Sequence, residues 1–232
     1  CIFLLSLFLR THNLSSVMQF IPDQGWFYLS ARDMLLTGQI PLVGPPTSHP
    51  WIHHGPLWTY TLGVLFLMFN FNPVAPAYFI GVLGALTVLV FYYCVKHMFG
   101  LNAAIVSTML FACSPLIVMN SRIAYHTSPI PFFVIILFFL VYKWIKGAAW
   151  VFPFIVFLLA VLYNHEITTF VYFICVGIVF MYGLFAKKSW FKNTLKVKIL
   201  ILSLLAFLIP MSPFILHDVQ NGYGQTVKFL VW

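Results

Sequence analysis

The 232 residues include only four carboxylates, Asp23, Asp33, Glu166 and Asp218, and eight histidines, so few side chains are candidates for moving protons or holding ligands. Asp23 follows Pro22 at the head of IPDQGWFYLSARDMLLTGQIP. It has two readings: a helix N-cap, or a carboxylate with a functional role of its own. Asp33, next to Arg32, reads as a solvated or Arg-paired surface residue. Arg122 carries a guanidinium, which offers bidentate contacts and stays charged; the plainer reading is an anchor to lipid headgroups. His165 with Glu166 reads as a polar pair, either turned to a ligand or merely closing a turn. His53 and His54 lie in a Pro-bounded stretch, and with Asp23, Glu166 or His217 they would supply nitrogen and oxygen ligands for a divalent metal. No HExxH-like ligand spacing supports that, so a metal-free polar pocket and no cofactor are the expectation. His217 and Asp218 read as the polar end of a helix.

Such residues need a scaffold, and the composition says which solvent it faces. Hydrophobic residues make up 62% of the chain and charged ones 7%, with 26 Phe, 11 Tyr and 7 Trp. These values exclude a soluble domain, disorder, a coiled coil and a disulfide-stapled secreted module, and they imply an all-α polytopic transmembrane bundle. Apolar runs at 76–95, 101–119, 129–142, 149–163, 168–186 and 199–216 follow a shorter one at 1–9. Several fall short of the roughly 20 residues that a bilayer core requires, so helices extended into their flanks are expected. The four cysteines sit in apolar runs or at the chain start and read as packing residues. The chain starts without Met inside an apolar stretch and reads as an excerpt.

The region 10–75 is the only long polar one, and function is expected there first. Within it, Phe27, Ala31, Met34 and Leu35 share one apolar face, which predicts a short helix along the membrane surface, ended by Gly38 and Pro41. Run 57–71 is ambiguous. If it does not cross, eight lysines collect on one side without an acid. All four acids and seven of the eight histidines then collect on the other. The net charge of +8 thus becomes a record of orientation rather than a nucleic-acid surface. No charged residue sits mid-span and no internal repeat is visible, which argues against a transporter.

An aspartate soon after the first span, an aromatic-rich helix ending in LLTGQIP and a His/Pro segment HPWIHHGPLWTY together resemble glycosyltransferase family 39. That family contains protein O-mannosyltransferases and lipid A aminoarabinose transferases, within the C-type membrane glycosyltransferase superfamily. SPLIVMNSRIAYHTSPIPFFVIILFFLVYKW looks like the family's second outer loop and next helix, LYNHEITTF like its third loop, and PFILHDVQNGY like the start of its fourth. The resemblance spans the chain in order and spacing. It implies one transmembrane glycosyltransferase domain over 1–232, with juxtamembrane helices in the first outer loop at 10–75. About six further spans would follow over 76–216, and a further outer loop would begin at 217–232.

The resemblance also implies a function: inverting transfer of a sugar from a polyprenyl-phosphate donor to a hydroxyl or amine of a glycan, lipid or protein, on the outer face of the inner (plasma) membrane. Asp23 matches the family's catalytic aspartate. Donor phosphate contacts would fall to Arg122, His53, His54 and His165, and acceptor or supporting contacts to Glu166, Asp33 and His126. The chain departs from the family at His126, where many relatives are acidic, and at His165, near which several have lysine. No nucleotide-type glycine loop and no DxD motif occurs, which fits a lipid-linked donor. Membrane lipids are expected partners and nucleic acid is not. The rival functions are a lipid-linked oligosaccharide flippase or transporter, a glycan ligase using polyprenyl diphosphate donors, and a non-catalytic scaffold.

Overall fold

A computed structural model describes residues 2–231. The described chain is helical, and its only β-type pairing is an isolated bridge between Pro46 and His53. It divides into two compact units, Cys1–Gln39 with Thr59–Ile136, and Ile40–Trp58 with Leu137–Trp232. Among the described residues, three helices have the length and apolarity to cross a membrane: Ala75–Phe99, Ile167–Phe185 and Val197–Gln220. Large aliphatic side chains are exposed along all three, Leu89, Ile178 and Ile209 among them, as lipid-facing surface requires. The protein is a multi-pass membrane protein.

The first unit contains α1 (Ile2–Thr11), α2 (Leu14–Val17), α3 (Pro22–Thr37), most of α4 (Leu57–Met68), α5 (Ala75–Phe99), α6 (Leu101–Cys113), α7 (Pro115–Asn120) and the start of α8 (Ile130–Ile145). The run 101–119, read as one span, is two helices. Pro115 has no N–H to donate, so α6 stops at Cys113 and α7 starts afresh with the proline in its first turn. The break orphans carbonyls at the end of α6, and Arg10 reaches across from α1 to donate to the oxygen of Ala112 at 3.0 Å. Arg10 is fully buried and also donates to the carbonyl and hydroxyl of Ser6.

Close approach to α5 makes this possible. A Cβ on Gly81 would stand 3.1 Å from the carbonyl oxygen of Arg10, and one on Gly84 would stand 3.1 Å from its Cδ and Nε. The same contact fixes topology. Residue 81, just inside α5, lies beside residue 10 at the end of α1, so the chain leaves α1 and enters α5 at the same end of the helix pair. α4 is 12 residues long, about 18 Å at 1.5 Å per residue, short of a core of about 30 Å.

The second unit contains the 40–58 segment, the rest of α8, α9 (Phe152–His165), α10 (Val171–Phe185), α11 (Ser189–Lys192), α12 (Val197–Gln220) and α13 (Gly224–Val231), with 3₁₀ turns before α9, α10 and α12. α9 packs along α12 around Ala160, Met211 and Phe214. Pro210 and Pro213 lie inside α12, which continues through them. The carbonyl of Ile209, deprived of its partner by Pro213, takes the Ser212 hydroxyl at 2.9 Å.

Candidate functional site

In the first unit, α3 presents Asp23. Its N-cap is Ile21, with Pro22 at the first helical position and Asp23 in the first turn, and no side chain caps the helix. The expected Asp23 cap is thus corrected: Pro22 already begins the helix with φ fixed and no N–H to satisfy, which leaves Asp23 two positions past the cap. Its carboxylate is exposed and placed to favour the helix N-terminus electrostatically. Oδ2 accepts a long hydrogen bond of 3.4 Å from the phenol of Tyr125.

α3 is held by its other face. Phe27, Tyr28 and Ala31 are buried, and the Tyr28 hydroxyl donates to the carbonyl of Pro73 at 3.1 Å. Burial pushes the Tyr28 phenol up to about 12, so it stays a donor across the useful pH range. Gly38, in the left-handed conformation at φ 71°, ends the helix as its sequence position implied.

The segment after α7 brings more groups to the same place. Phe27 stacks on His126 with centroids 4.8 Å apart and meets Tyr125 edge-on, while His126, 2% exposed, also packs against Tyr125 at 4.0 Å. Arg122 donates from Nη1 to the carbonyl of Leu9 at 2.7 Å and from Nη2 to that of His12 at 2.9 Å. It closes the C-terminal end of α1 and is half-exposed, and a guanidinium has five N–H groups, so two carbonyls do not saturate it. Asp33 sits apart, paired with Arg32 at 2.8 Å on the exposed side of α3.

In the second unit, residues 44–55 fold back on themselves. Gly44 N donates to His54 O, His54 N to Pro45 O, and Thr47 N to Ile52 O. Gly55 docks this loop by donating to the carbonyl of Asn164, and it lies so close that a Cβ would fall 2.1 Å from Asn164 Oδ1. Asn164, 1% exposed, uses its amide nitrogen to reach Ala160 O in α9 and Pro210 O in α12. One buried amide therefore ties the histidine loop to both helices.

The loop sends His53 and His54 in different directions. His53 stands 6.1 Å, ring to ring, from His217, and its carbonyl accepts from Gln225 Nε2 at 2.8 Å. With Lys228 and Trp51 these residues line an open polar cavity of about 540 Å³. Burial, followed by the His217 and Lys228 charges, pulls the His53 imidazole below its ordinary range, against a raising contribution from Gln225. Gln225 also lines an apolar cavity of about 450 Å³ walled by Tyr163, Phe170, Phe173, Phe207 and Phe214. His54 is buried, and one of its ring nitrogens lies within 4.8 Å of a Glu166 carboxylate oxygen. That pair offers two donors of the kinds zinc accepts, where zinc takes four ligands.

Glu166 also has a structural duty. Its side chain caps the 3₁₀ turn Ile167–Phe170 by accepting from Thr168 N at 3.3 Å. His165 ends α9, 4% exposed, 6.2 Å from the Trp58 ring. Asp218 is buried and accepts from Gln225 N at 3.0 Å, from Thr226 N and from the Thr226 hydroxyl, capping α13.

Tyr125, Asn164 and Gln225 were not candidates from sequence. Tyr125 carried a signal in hindsight, since it lies three residues after Arg122 in the second-loop motif. Asn164 sits within LYNHEITTF and was passed over for its charged neighbours.

No curated protein and no solved structure matches the chain. The family described as dolichyl-phosphate-mannose-protein mannosyltransferase matches residues 53–217, from the histidine loop to the end of α12. A match over most of a chain built of apolar helices makes this protein a member of that mannosyltransferase family, a membrane glycosyltransferase.

Proposed function

We propose that the protein transfers a sugar, with inversion, from a polyprenyl-phosphate donor to a hydroxyl or amine of a glycan, lipid or protein. The reaction takes place on the outer face of the inner (plasma) membrane. Asp23 is the general base. The observation that carries this role is its state in the first unit: an exposed carboxylate that caps nothing, in contact with the Tyr125 phenol beside His126 and the Arg122 segment. The family match begins at residue 53, so the role of Asp23 is argued from this geometry and from its motif.

Asp23 takes the acceptor's proton as the acceptor oxygen or nitrogen forms its bond to the anomeric carbon. The bond from that carbon to the phosphate oxygen breaks in line, and its electron pair leaves with polyprenyl phosphate. Cationic donors receive the charge that develops on the phosphate. Arg122 in the first unit and His53, His54 and His165 in the second are the candidates for this role, with His126 and Glu166 for acceptor or supporting contacts, while Asp33 is left to its pair with Arg32. In the second unit, a polar cavity with His53, His217 and Lys228 shares Gln225 with an aromatic-walled apolar one. That pairing suits a ligand with a charged head and a hydrocarbon tail.

The test is to incubate membranes carrying the protein with labelled polyprenyl-phosphate sugars and follow the label. It should leave the lipid for an acceptor, and Asp23→Asn should stop it while the protein stays folded and inserted. Near wild-type transfer by Asp23→Asn would remove the proposed base. Label that crosses the bilayer still bound to lipid would favour a flippase.

A further inference from the structure

We propose that the segment between α10 and α12 is an anionic phospholipid site, with headgroup phosphates on its lysines and acyl chains against the apolar side chains beside them. Lys187, Lys188, Lys192, Lys196 and Lys198 fall within residues 187–198, and no acid lies among them. Lys143 and Lys146, at the end of α8, add to the second unit's basic residues, whereas its acids, Glu166 and Asp218, lie at the far ends of α9 and α12.

The segment is built rather than loose. It forms α11 and a 3₁₀ turn, with Phe191 and Thr194 buried while Lys187, Lys192, Lys196 and Lys198 stay exposed. Thr194 accepts a hydrogen bond from the indole of Trp144 at 2.8 Å. Phe191 packs on Phe180 at 4.7 Å, and Trp190 meets Trp144 edge-on at 5.1 Å. Gly183 lets this cap settle onto α10, since a Cβ there would fall 2.7 Å from Phe191 and 2.8 Å from Trp190. The lysines are therefore held at fixed spacing, where a disordered run would have to be ordered at an entropic cost.

The apolar neighbours decide the partner. Phe185, Trp150 and Val197 are 75%, 68% and 70% exposed, and Leu195 is exposed between Lys192 and Lys196. Lys188 lies over the Tyr182 ring at 5.2 Å and Lys146 over that of Tyr142 at 5.6 Å, which is the lysine and aromatic mixture of a membrane interface. Cationic charge beside exposed hydrocarbon fits a phospholipid, and the absence of acids among these lysines selects an anionic one.

The test uses the full chain in nanodiscs of phosphatidylcholine with a minor fraction of phosphatidylglycerol, and native mass spectrometry reads the lipids retained on release. Wild type should retain phosphatidylglycerol in preference to phosphatidylcholine. The exposed double variant Lys192→Gln/Lys196→Gln should lower that preference by roughly fivefold per lysine removed. Gly183→Ala keeps every lysine but unseats the cap, and it should lower the preference as well. Equal retention of both lipids by wild type, or an unchanged preference in the double variant, would overturn the site. An unchanged preference in Gly183→Ala would overturn its dependence on the packed cap.

Discussion

The phenol of Tyr125 touches the carboxylate of Asp23 across about a hundred residues of sequence, joining the first polar loop to the second within one compact unit. The contact, at 3.4 Å, is long for a hydrogen bond, so it constrains the carboxylate only weakly. Asp23→Asn should lower turnover by about 10²–10⁴-fold, the span typical of a lost general base. Tyr125→Phe should cost less than about tenfold, as suits a contribution of about 0.5–1.5 kcal/mol. Steady-state kinetics on the two variants separates the roles, because equal losses would transfer the essential function to Tyr125.

Arg10 and Arg122 exchange services between the same segments: Arg10 of α1 satisfies Ala112 at the end of α6, and Arg122 beyond α7 satisfies Leu9 and His12 at the end of α1. Replacing Arg10 with Met should cost about 1–3 kcal/mol, because the Ala112 carbonyl is then buried without a partner. Gly84→Ala should also destabilise, since its Cβ would fall 2.6 Å from that of Ser121. Thermal unfolding in detergent, followed by size exclusion, would read both. An unchanged midpoint for Arg10→Met would mean that the Ala112 carbonyl is satisfied in some other way.

The order of helices and the end of α3 were legible because apolar run length and the Gly38 stop are local signals. The break at Pro115 was legible in principle, yet the apolar run continues through it, and hydropathy does not register a missing N–H. Asp23 was legible as a candidate, but the cap lies two positions earlier, at Ile21, because Pro22 occupies the first helical position. Tyr125, Asn164 and Gln225 were not legible. Their meaning depends on what tertiary packing sets beside them, and an amide within an apolar run looks the same whether it ties helices together or fills space.

The docking of the histidine loop through Gly55 gives a paired comparison. Gly55→Ala sets a Cβ 2.1 Å from Asn164 Oδ1 and 2.7 Å from its Cα, and backbone cannot step aside as a flexible side chain can. This variant should lower thermal stability by about 1–3 kcal/mol, the usual cost of overpacking, and should displace His53 and His54. Gly177→Ala, whose Cβ would meet nothing within 4 Å, should be neutral or slightly stabilising. If both variants behave alike, the loop is not seated on Asn164 as described.

His53 supplies the pH dependence. Its imidazole is pulled below the ordinary value, first by burial and then by His217 and Lys228, despite the opposing contribution of Gln225. The folded protein therefore binds this proton less readily than the unfolded chain does. The stabilising share of neutral His53 is complete above the unfolded pKa of about 6.5. It is lost as the pH falls from there through the lower folded value. Lys228→Gln removes one depressing charge, so His53 should titrate higher and the acid loss of stability should shrink. A bound phosphate ester should also raise the His53 titration, because an anion favours imidazolium. Selective ¹⁵N-histidine labelling in nanodiscs, titrated with and without an alkyl phosphate, measures both shifts. Should Lys228→Gln leave the His53 titration where it was, the lysine's charge does not reach the ring, and this cavity loses its claim to the donor phosphate.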